Sequence, residues 1–98
     1  MTIQPTNQAK PLFSLGQTVA TPDALAALEQ AAVSAMDLLR RHQRGDWGDL
    51  GYEDKQSNDD ALTLGGRIFS TYQFDTVKFW VITEYDRSVT TILLPEDY

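Results

Sequence analysis

The segment RRHQRGDWGDL, residues 40–50, holds the side chains best suited to chemistry in this chain. His42, followed by Asp46 and Asp49, could act as a general base with a carboxylate that orients its ring. Such a pair also needs a nucleophile, and the sequence offers only ordinary serines and threonines because it contains no cysteine. It also lacks a glycine-rich phosphate loop, a paired-histidine metal motif and a nucleophile elbow. We therefore expect no enzymatic activity, no metal site and no cofactor, and a hydrolase or transferase centred on His42 is the least favoured hypothesis.

The same charges have a simpler explanation at the junction of two helices. The basic residues 40–44 come at the predicted end of one helix, where cations complement the negative end of the helix dipole. The acidic residues 49–54 come at the start of the next helix, where acids complement the positive end. Trp47, flanked by Gly45 and Gly48, is predicted to be a hydrophobic plug that holds the turn against a sheet.

Arg40, Arg41 and Arg44 form a small basic patch that could contact phosphates. The chain as a whole has a net charge of −6, and residues 1–44 carry four Lys and Arg against three acids. General binding of nucleic acid is therefore disfavoured, because no broad basic surface is present in the sequence. A small regulatory nucleic-acid-binding module that uses these three arginines is the alternative functional hypothesis.

The acidic charge is concentrated in residues 45–66, where one lysine stands against six Asp and Glu. If this segment is helical, Glu53 and Asp60 lie on one side, about 10 Å apart. That separation is about three phosphate spacings along a DNA strand, so the surface could occupy a basic groove on a protein. A solvated face that keeps the protein soluble would explain the same charges. The predicted contact residues are Asp46, Trp47 as an aromatic anchor, Asp49, Glu53, Asp54, Asp59 and Asp60.

The N-terminal half is predicted to be mainly helical. Residues 1–11 have the composition of a flexible arm, and residues 12–98 form one domain that begins with a possible short strand. Thr21 suits a helix N-cap with proline after it, and apolar residues then follow at helical spacing as far as residue 42. This stretch is either one helix or two, the second capped by Ser34 with Asp37 as its capping-box acid. A further helix is predicted between Glu53 and a pair of glycines at residues 65 and 66.

The last third of the chain is predicted to form three antiparallel strands. A two-residue turn at residues 75–76 and a loop at residues 85–88 set Tyr72 opposite Phe79 and Thr83 opposite Thr90. The predicted core face carries Ile68, Tyr72, Phe74, Val77, Phe79, Val81, Ile92 and Leu94. The fold class is therefore α+β: N-terminal helices, with a possible short first strand, packed on a three- to four-stranded antiparallel sheet.

The second face of this sheet is apolar at its centre and charged at its rim. The register places Phe69 beside Ile82 and Trp80 beside Leu93. The charged residues around them are Arg67, Lys78 and Glu84, with Arg67 predicted to pair with Glu84. An apolar centre with a charged rim is typical of an interface, so this face is predicted to bind a partner or a second copy of the chain. The alternative is that the N-terminal segment folds over it.

Three stretches resemble a known protein family: FSLGQTVATPDALAALE, LLRRHQRGDWGDL and VITEYDRSVTTILLPEDY. The family is a widespread group of small uncharacterised bacterial proteins, often encoded on plasmids and other mobile elements. Members are labelled hypothetical, plasmid-related protein or type I restriction endonuclease subunit M, and the resemblance covers roughly residues 13–98. It implies no catalytic residues, and the chain is too short for the doubly wound sheet of a methyltransferase. Relatives carry a glycine and a proline within the stretch AAVSAMDLL, which favours two helices that meet near Ser34. This chain lacks both residues, so a continuous helix stays open as the alternative.

These observations predict a non-enzymatic protein-interaction module of mobile-element origin. We expect an acidic counter-defence inhibitor, of the anti-restriction or anti-CRISPR type, that binds a host protein such as a defence nuclease or its complex. The sequence has no membrane-spanning run and no signal peptide, so we expect a cytoplasmic protein without membrane contacts. A homodimer formed through the sheet face is a further hypothesis.

Overall fold

The computed structural model describes residues 11–98, so the predicted arm lies almost wholly outside the described residues. The elements are β1 (Gln17–Ala20), α1 (Pro22–Ala31), α2 (Ala35–Gln43), α3 (Tyr52–Leu64), β2 (Ile68–Phe74), β3 (Val77–Thr83), β4 (Val89–Leu93) and a short 3-10 helix (Pro95–Asp97). This arrangement confirms the predicted α+β class.

The four strands form one mixed sheet in the order β1-β4-β3-β2. The hairpin registers are those predicted, with Tyr72 opposite Phe79 and Thr83 opposite Thr90. The prediction of an antiparallel sheet is wrong in one respect, because β1 pairs in parallel with β4, from Gln17 opposite Val89 onward. A parallel neighbour needs a long connection, and three helices and two strands separate β1 from β4.

The stretch that follows β1 forms two helices rather than one. Thr21 caps α1, because its Oγ1 accepts a hydrogen bond from the N–H of Ala24 at 3.1 Å. The helix ends at Ala31, and the C-cap residue Ala32 takes a left-handed conformation with φ of 55°. Ser34 precedes α2, but its side chain makes no capping hydrogen bond, and Asp37 instead lies 3.6 Å from Arg40. The two-helix alternative is therefore confirmed, and the predicted capping box is wrong.

Helices α1 and α2 cover the predicted core face of the sheet. Their buried side chains join those of the strands in one cluster: Ala24, Leu28, Leu38, Leu39, Tyr72, Phe79, Val81 and Ile92. Helix α3 lies beside β2 and closes a second cluster, formed by Trp47, Ala61 and Ile68. The buried apolar side chains of α1, α2 and α3 all join these two clusters, and neither cluster includes a residue of the second face of the sheet.

The turn between α2 and α3 protects the outer edge of β2. The N–H of Thr71 donates to the carbonyl of Trp47 at 3.2 Å, and the N–H of Asp49 donates to the carbonyl of Thr71 at 2.8 Å. Gly48 thereby forms a short parallel bridge with Thr71. The Asp49 carboxylate also accepts the N–H of Gln73 at 2.9 Å. These groups satisfy backbone atoms that an open strand edge would expose to other chains.

Two side chains hold α3 against the sheet. Asn58 is buried, and its amide donates to the carbonyl of Phe69 at 2.6 Å and accepts the Phe69 N–H at 3.0 Å. Its side chain therefore acts as a short piece of strand. Arg87 donates to the carbonyls of Ala61 (3.0 Å) and Gly66 (2.6 Å), where the end of a helix favours a cation.

We predict that Gly48→Ser lowers the free energy of unfolding by about 3 kcal/mol or more. Gly48 has a φ of +76°, and an added Cβ would overlap the Thr71 carbonyl oxygen. Gly51→Ser is the matched control, because no atom lies within 4 Å of its added Cβ and serine suits this N-cap position of α3. Urea unfolding measures both, and equal stabilities of the two variants would contradict the role of the turn.

Candidate functional site

His42 lies at the centre of a buried chain of hydrogen bonds. The ring is fully buried. Its Nδ1 lies 2.6 Å from Ser70 Oγ and its Nε2 lies 2.9 Å from Thr83 Oγ1. Both ring nitrogens are therefore occupied by hydroxyl groups of the sheet, and neither is free to act on a ligand.

The far end of this chain determines which ring nitrogen carries the proton. Thr90 Oγ1 donates its hydrogen to the carbonyl of Leu15 at 2.7 Å, so it must accept from Thr83 Oγ1, which lies 2.7 Å away. Thr83 has then used its own hydrogen and must accept one from Nε2–H of His42. Nδ1 carries no proton, and it accepts the hydrogen of Ser70.

The surroundings of His42 keep its ring neutral. Burial, and next the charge of Arg87, lower the pKa of His42 to about 3. Two aromatic rings pack against it with their planes nearly perpendicular to the imidazole, at centroid distances of 5.2 Å for Phe13 and 5.9 Å for Trp47. The prediction that His42 is one of the cations at the helix end is therefore wrong, since its ring points into the core as a neutral imidazole.

Neither predicted carboxylate orients His42. Asp46 binds Arg41, with 2.7 Å between Oδ2 and Nε, and accepts the N–H of Gly48 at 3.1 Å. Burial raises the pKa of Asp46, but the Arg41 guanidinium and the Gly48 N–H outweigh it and hold this pKa below its ordinary value. Asp49 is bound to the edge of β2. The base–carboxylate pair that catalysis by His42 would need is not formed.

Trp47 does not offer an anchor on the surface. Only 4% of its surface is exposed, and it packs against Ala61 and Ile68. Its indole Nε1–H donates to Asp59 Oδ1 at 3.2 Å. The prediction that Trp47 anchors a partner is therefore wrong, because its side chain is buried beneath the turn and is not available on the surface. The structural explanation, a hydrophobic plug, is the one that the geometry supports.

The predicted acidic surface is thereby divided. Asp46, Asp49 and Asp59 bind groups within the protein, as described above. Glu53, Asp54 and Asp60 are exposed on α3, and they form no ion pair with the residues that the structure describes. All six acids are exposed, and these three are the ones whose carboxylates have no ion partner or hydrogen bond among the residues that the structure describes.

The outward side of α3 also carries exposed apolar side chains. Tyr52 is 79% exposed and Leu64 is 81% exposed, the highest values among the large apolar residues described. Glu53, Asp60 and Leu64 follow at intervals of seven and four residues, which places them on one side of a helix. We call Tyr52, Glu53, Asp60 and Leu64 the α3 outer face. From the sequence, the two acids are predicted contact residues, but the apolar contact is predicted at Trp47 instead of Tyr52 and Leu64.

The structure brings the three predicted arginines to one cleft. Arg40, Arg41 and Arg44 line a cavity of about 500 Å³ beside the junction of α1 and α2. Two of them already have acidic neighbours, since Arg41 binds Asp46 at 2.7 Å and Arg40 lies 3.6 Å from Asp37. The basic character of the cleft is therefore smaller than the sequence suggests.

The second face of the sheet brings together the predicted apolar residues Phe69, Trp80, Ile82 and Leu93 in the predicted register. The rings of Phe69 and Trp80 meet edge to face, with centroids 5.1 Å apart. Ile82 and Leu93 are buried, while the two aromatic side chains are half-buried. We call these four residues and their strand neighbours the outer sheet face.

Tyr98 is an unpredicted member of the outer sheet face. Its ring lies 5.8 Å from that of Trp80, and a cavity of about 200 Å³ opens between Arg67, Phe69, Trp80, Ile82 and Tyr98. Arg67 donates to the Tyr98 hydroxyl at 3.0 Å and pairs with Glu84 at 3.4 Å. The Arg67–Glu84 pair confirms the one predicted from the register. No sequence signal predicts the position of Tyr98, because it follows the last strand.

Comparison with known proteins gives no relative from which a function could be inferred. No protein-family model, curated protein or solved structure matches the chain. Among residues 11–98, no group of three or more His, Asp or Glu side chains is placed to hold a metal ion. None of the described helices combines the length and the apolar character that crossing a membrane requires.

We predict that the stability of the protein falls below about pH 6.5 because of His42. Its folded pKa of about 3 lies below the ordinary value of 6.5, so the unfolded chain binds the proton more tightly. This contribution is complete above pH 6.5 and is lost as the pH falls toward 3, at about 1.4 kcal/mol per pH unit. Urea unfolding from pH 7 downward measures the slope, with His42→Gln as the control that lacks the titrating ring. Equal slopes for the two proteins would contradict the buried neutral ring.

Proposed function

We propose that this protein is a non-enzymatic protein-interaction module that binds a basic surface of a host protein through the α3 outer face. The proposal rests on the presence of two acids and two exposed apolar side chains, Tyr52 and Leu64, on the same helix. The acids, Glu53 and Asp60, are exposed and have no ion partners among the described residues. Apolar side chains next to uncompensated charge are typical of docking surfaces, since one supplies affinity and the other selects the partner.

The spacing of the acids supports a partner that normally binds nucleic acid. Seven residues of helix separate Glu53 from Asp60 by about 10 Å, which is about three phosphate spacings along one DNA strand. A groove lined with Lys and Arg would therefore find carboxylates where it normally finds phosphates. Tyr52 and Leu64, about 18 Å apart along the helix axis, would contact the two sides of such a groove.

The resemblance to proteins of mobile elements supplies the biological setting. Host nucleases that destroy incoming DNA carry basic grooves, and a mobile element benefits when such a groove is filled. We therefore propose a cytoplasmic counter-defence inhibitor, of the anti-restriction or anti-CRISPR type, that acts by occupying a defence nuclease or its complex. The saturation of both nitrogens of His42 supports a role in binding rather than in catalysis.

The proposal predicts that the protein protects incoming DNA from a host nuclease. The protein is expressed in strains that each carry one defined restriction or CRISPR system, and the transformation efficiency of a targeted plasmid is measured. We expect wild type to raise this efficiency in at least one strain. Glu53→Lys combined with Asp60→Lys should remove the protection and weaken binding to the purified nuclease by at least about tenfold.

The matched control places the same charge change elsewhere. Glu29→Lys combined with Glu96→Lys alters the net charge equally, and both positions are exposed. This variant should keep the protection. Absence of protection in every strain would contradict the counter-defence role, and equal effects of the two double variants would contradict the use of the α3 outer face.

The convergence of Arg40, Arg41 and Arg44 on one cleft favours a second candidate function, a small regulatory nucleic-acid-binding module. This candidate predicts a complex with DNA or RNA that weakens as salt concentration rises. Arg40→Glu combined with Arg44→Glu should abolish that complex, since Arg44 has no acidic partner among the described residues. A gel-shift assay measures it, and no shift at low salt would eliminate this candidate.

A further inference from the structure

The outward side chains of β3 are arranged so that two antiparallel copies of this strand, placed face to face, would match each other in charge and size. Lys78, Trp80 and Ile82 of β3, and Glu84 directly after it, alternate with the core-face residues Phe79, Val81 and Thr83. A base and an acid stand at the two ends, and a large aromatic and a smaller aliphatic side chain stand between them. If a second copy lies antiparallel over the strand, the base meets the acid and Trp80 meets Ile82.

The neighbouring strands repeat this alternation of large and small side chains. On β2, Phe69 pairs with Ile82, and Thr71 pairs with Trp80. On β4, Thr91 pairs with Ile82 and Leu93 pairs with Trp80. Reversal of the strand direction would therefore set Phe69 of one copy over Thr71 of the other, and Leu93 of one copy over Thr91 of the other. Large side chains would face small ones, as in the interdigitated layers of a protein core.

From this pattern we propose that two copies of the chain form a dimer through the outer sheet face. The two-fold axis lies in the interface and runs across the strands. Each strand then lies over the same strand of the second copy and runs in the opposite direction, and the order of the strands is the same in both sheets. This is a closed isologous contact, so association stops at two copies. It uses a surface separate from the α3 outer face and does not depend on the proposed function.

The cavity of the outer sheet face lies where the dimer needs it. Ile82, Phe69 and Tyr98 form part of its wall, and its volume is about 200 Å³. In the antiparallel arrangement, Trp80 of the second copy stands over Ile82 and enters this space. Each subunit thereby supplies one indole ring and one receiving cavity, which is how the dominant contacts of stable interfaces are usually built.

Charges at the rim select this orientation. Lys78 is exposed and forms no ion pair within the described part of the chain. Glu84 pairs with Arg67 at 3.4 Å, with both side chains partly exposed. In the dimer, Lys78 of one copy approaches Glu84 of the other, so each acid lies between two cations. A two-fold axis along the strands would instead leave the lysines without acids opposite them.

Charge exchange at these two positions tests the dimer. Sedimentation over a wide range of protein concentration should show wild type as a dimer. Glu84→Lys places three cations together at each end and should weaken the dimer by at least about thirtyfold, as should Trp80→Ala. Adding Lys78→Glu to Glu84→Lys should restore it. The two positions lie about 20 Å apart along one strand, so the restoration requires contact between copies.

The control for this rescue is Lys55→Glu added to Glu84→Lys. It changes the net charge in the same way at an exposed position on α3, and it should leave the dimer as weak as it is in Glu84→Lys alone. Circular dichroism and urea unfolding confirm that each variant is folded. A monomeric wild type at every concentration would overturn the proposal. So would a dimer that Glu84→Lys does not weaken, or a rescue by Lys55→Glu equal to that by Lys78→Glu.

Discussion

The buried hydrogen-bond chain through His42 is the constraint on which the rest of the structure depends. It passes from Ser70 in β2 through the ring to Thr83 in β3, then to Thr90 in β4 and the carbonyl of Leu15 just before β1. It therefore joins α2 to the sheet and crosses the strands in their spatial order. Buried polar groups without partners are costly, so a shift of any one strand would leave several of them unsatisfied.

The position of α2 then determines where the acidic segment goes. Because His42 holds the end of α2 over the sheet, the chain leaves the helix beside the outer edge of β2. There Trp47 fills the space beneath the turn, and Asp49 binds the strand edge. Asn58 and Arg87 fasten the helix that follows. The side of α3 that these contacts leave outward is the acidic and apolar face to which we assign partner binding.

Much of this arrangement can be read from the sequence, for identifiable physical reasons. The register of β2 to β4 is predictable because turn length and alternation agree, and a slip of one residue would turn every apolar side chain outward. The same register places Ser70, Thr83 and Thr90 on the core face, and three buried hydroxyls imply a polar partner between them. His42, the only histidine in the sequence, could have been assigned as that partner, but its proximity to Asp46 and Asp49 in the sequence suggested a catalytic pair instead.

The errors share one cause, which is that local sequence does not report long-range contacts. The parallel pairing of β1 depends on where the chain returns after three helices. The choice between the two predictions for Trp47, a buried plug or an anchor for a partner, depends on Ala61 and Ile68. Tyr98 reaches the outer sheet face only because the short 3-10 helix folds back toward Arg67. Each of these residues has an ordinary local environment in the sequence, so only the assembled fold distinguishes its role.

The most direct test of this account is the protonation state of His42 measured by nitrogen-15 NMR. The hydrogen-bond chain requires a neutral ring with the proton on Nε2 and none on Nδ1. We expect this form, without titration, from about pH 7 down to about pH 5, because the folded pKa is about 3. A ring protonated on Nδ1 with a bare Nε2, or one that titrates near its ordinary pKa of 6.5, would contradict the account.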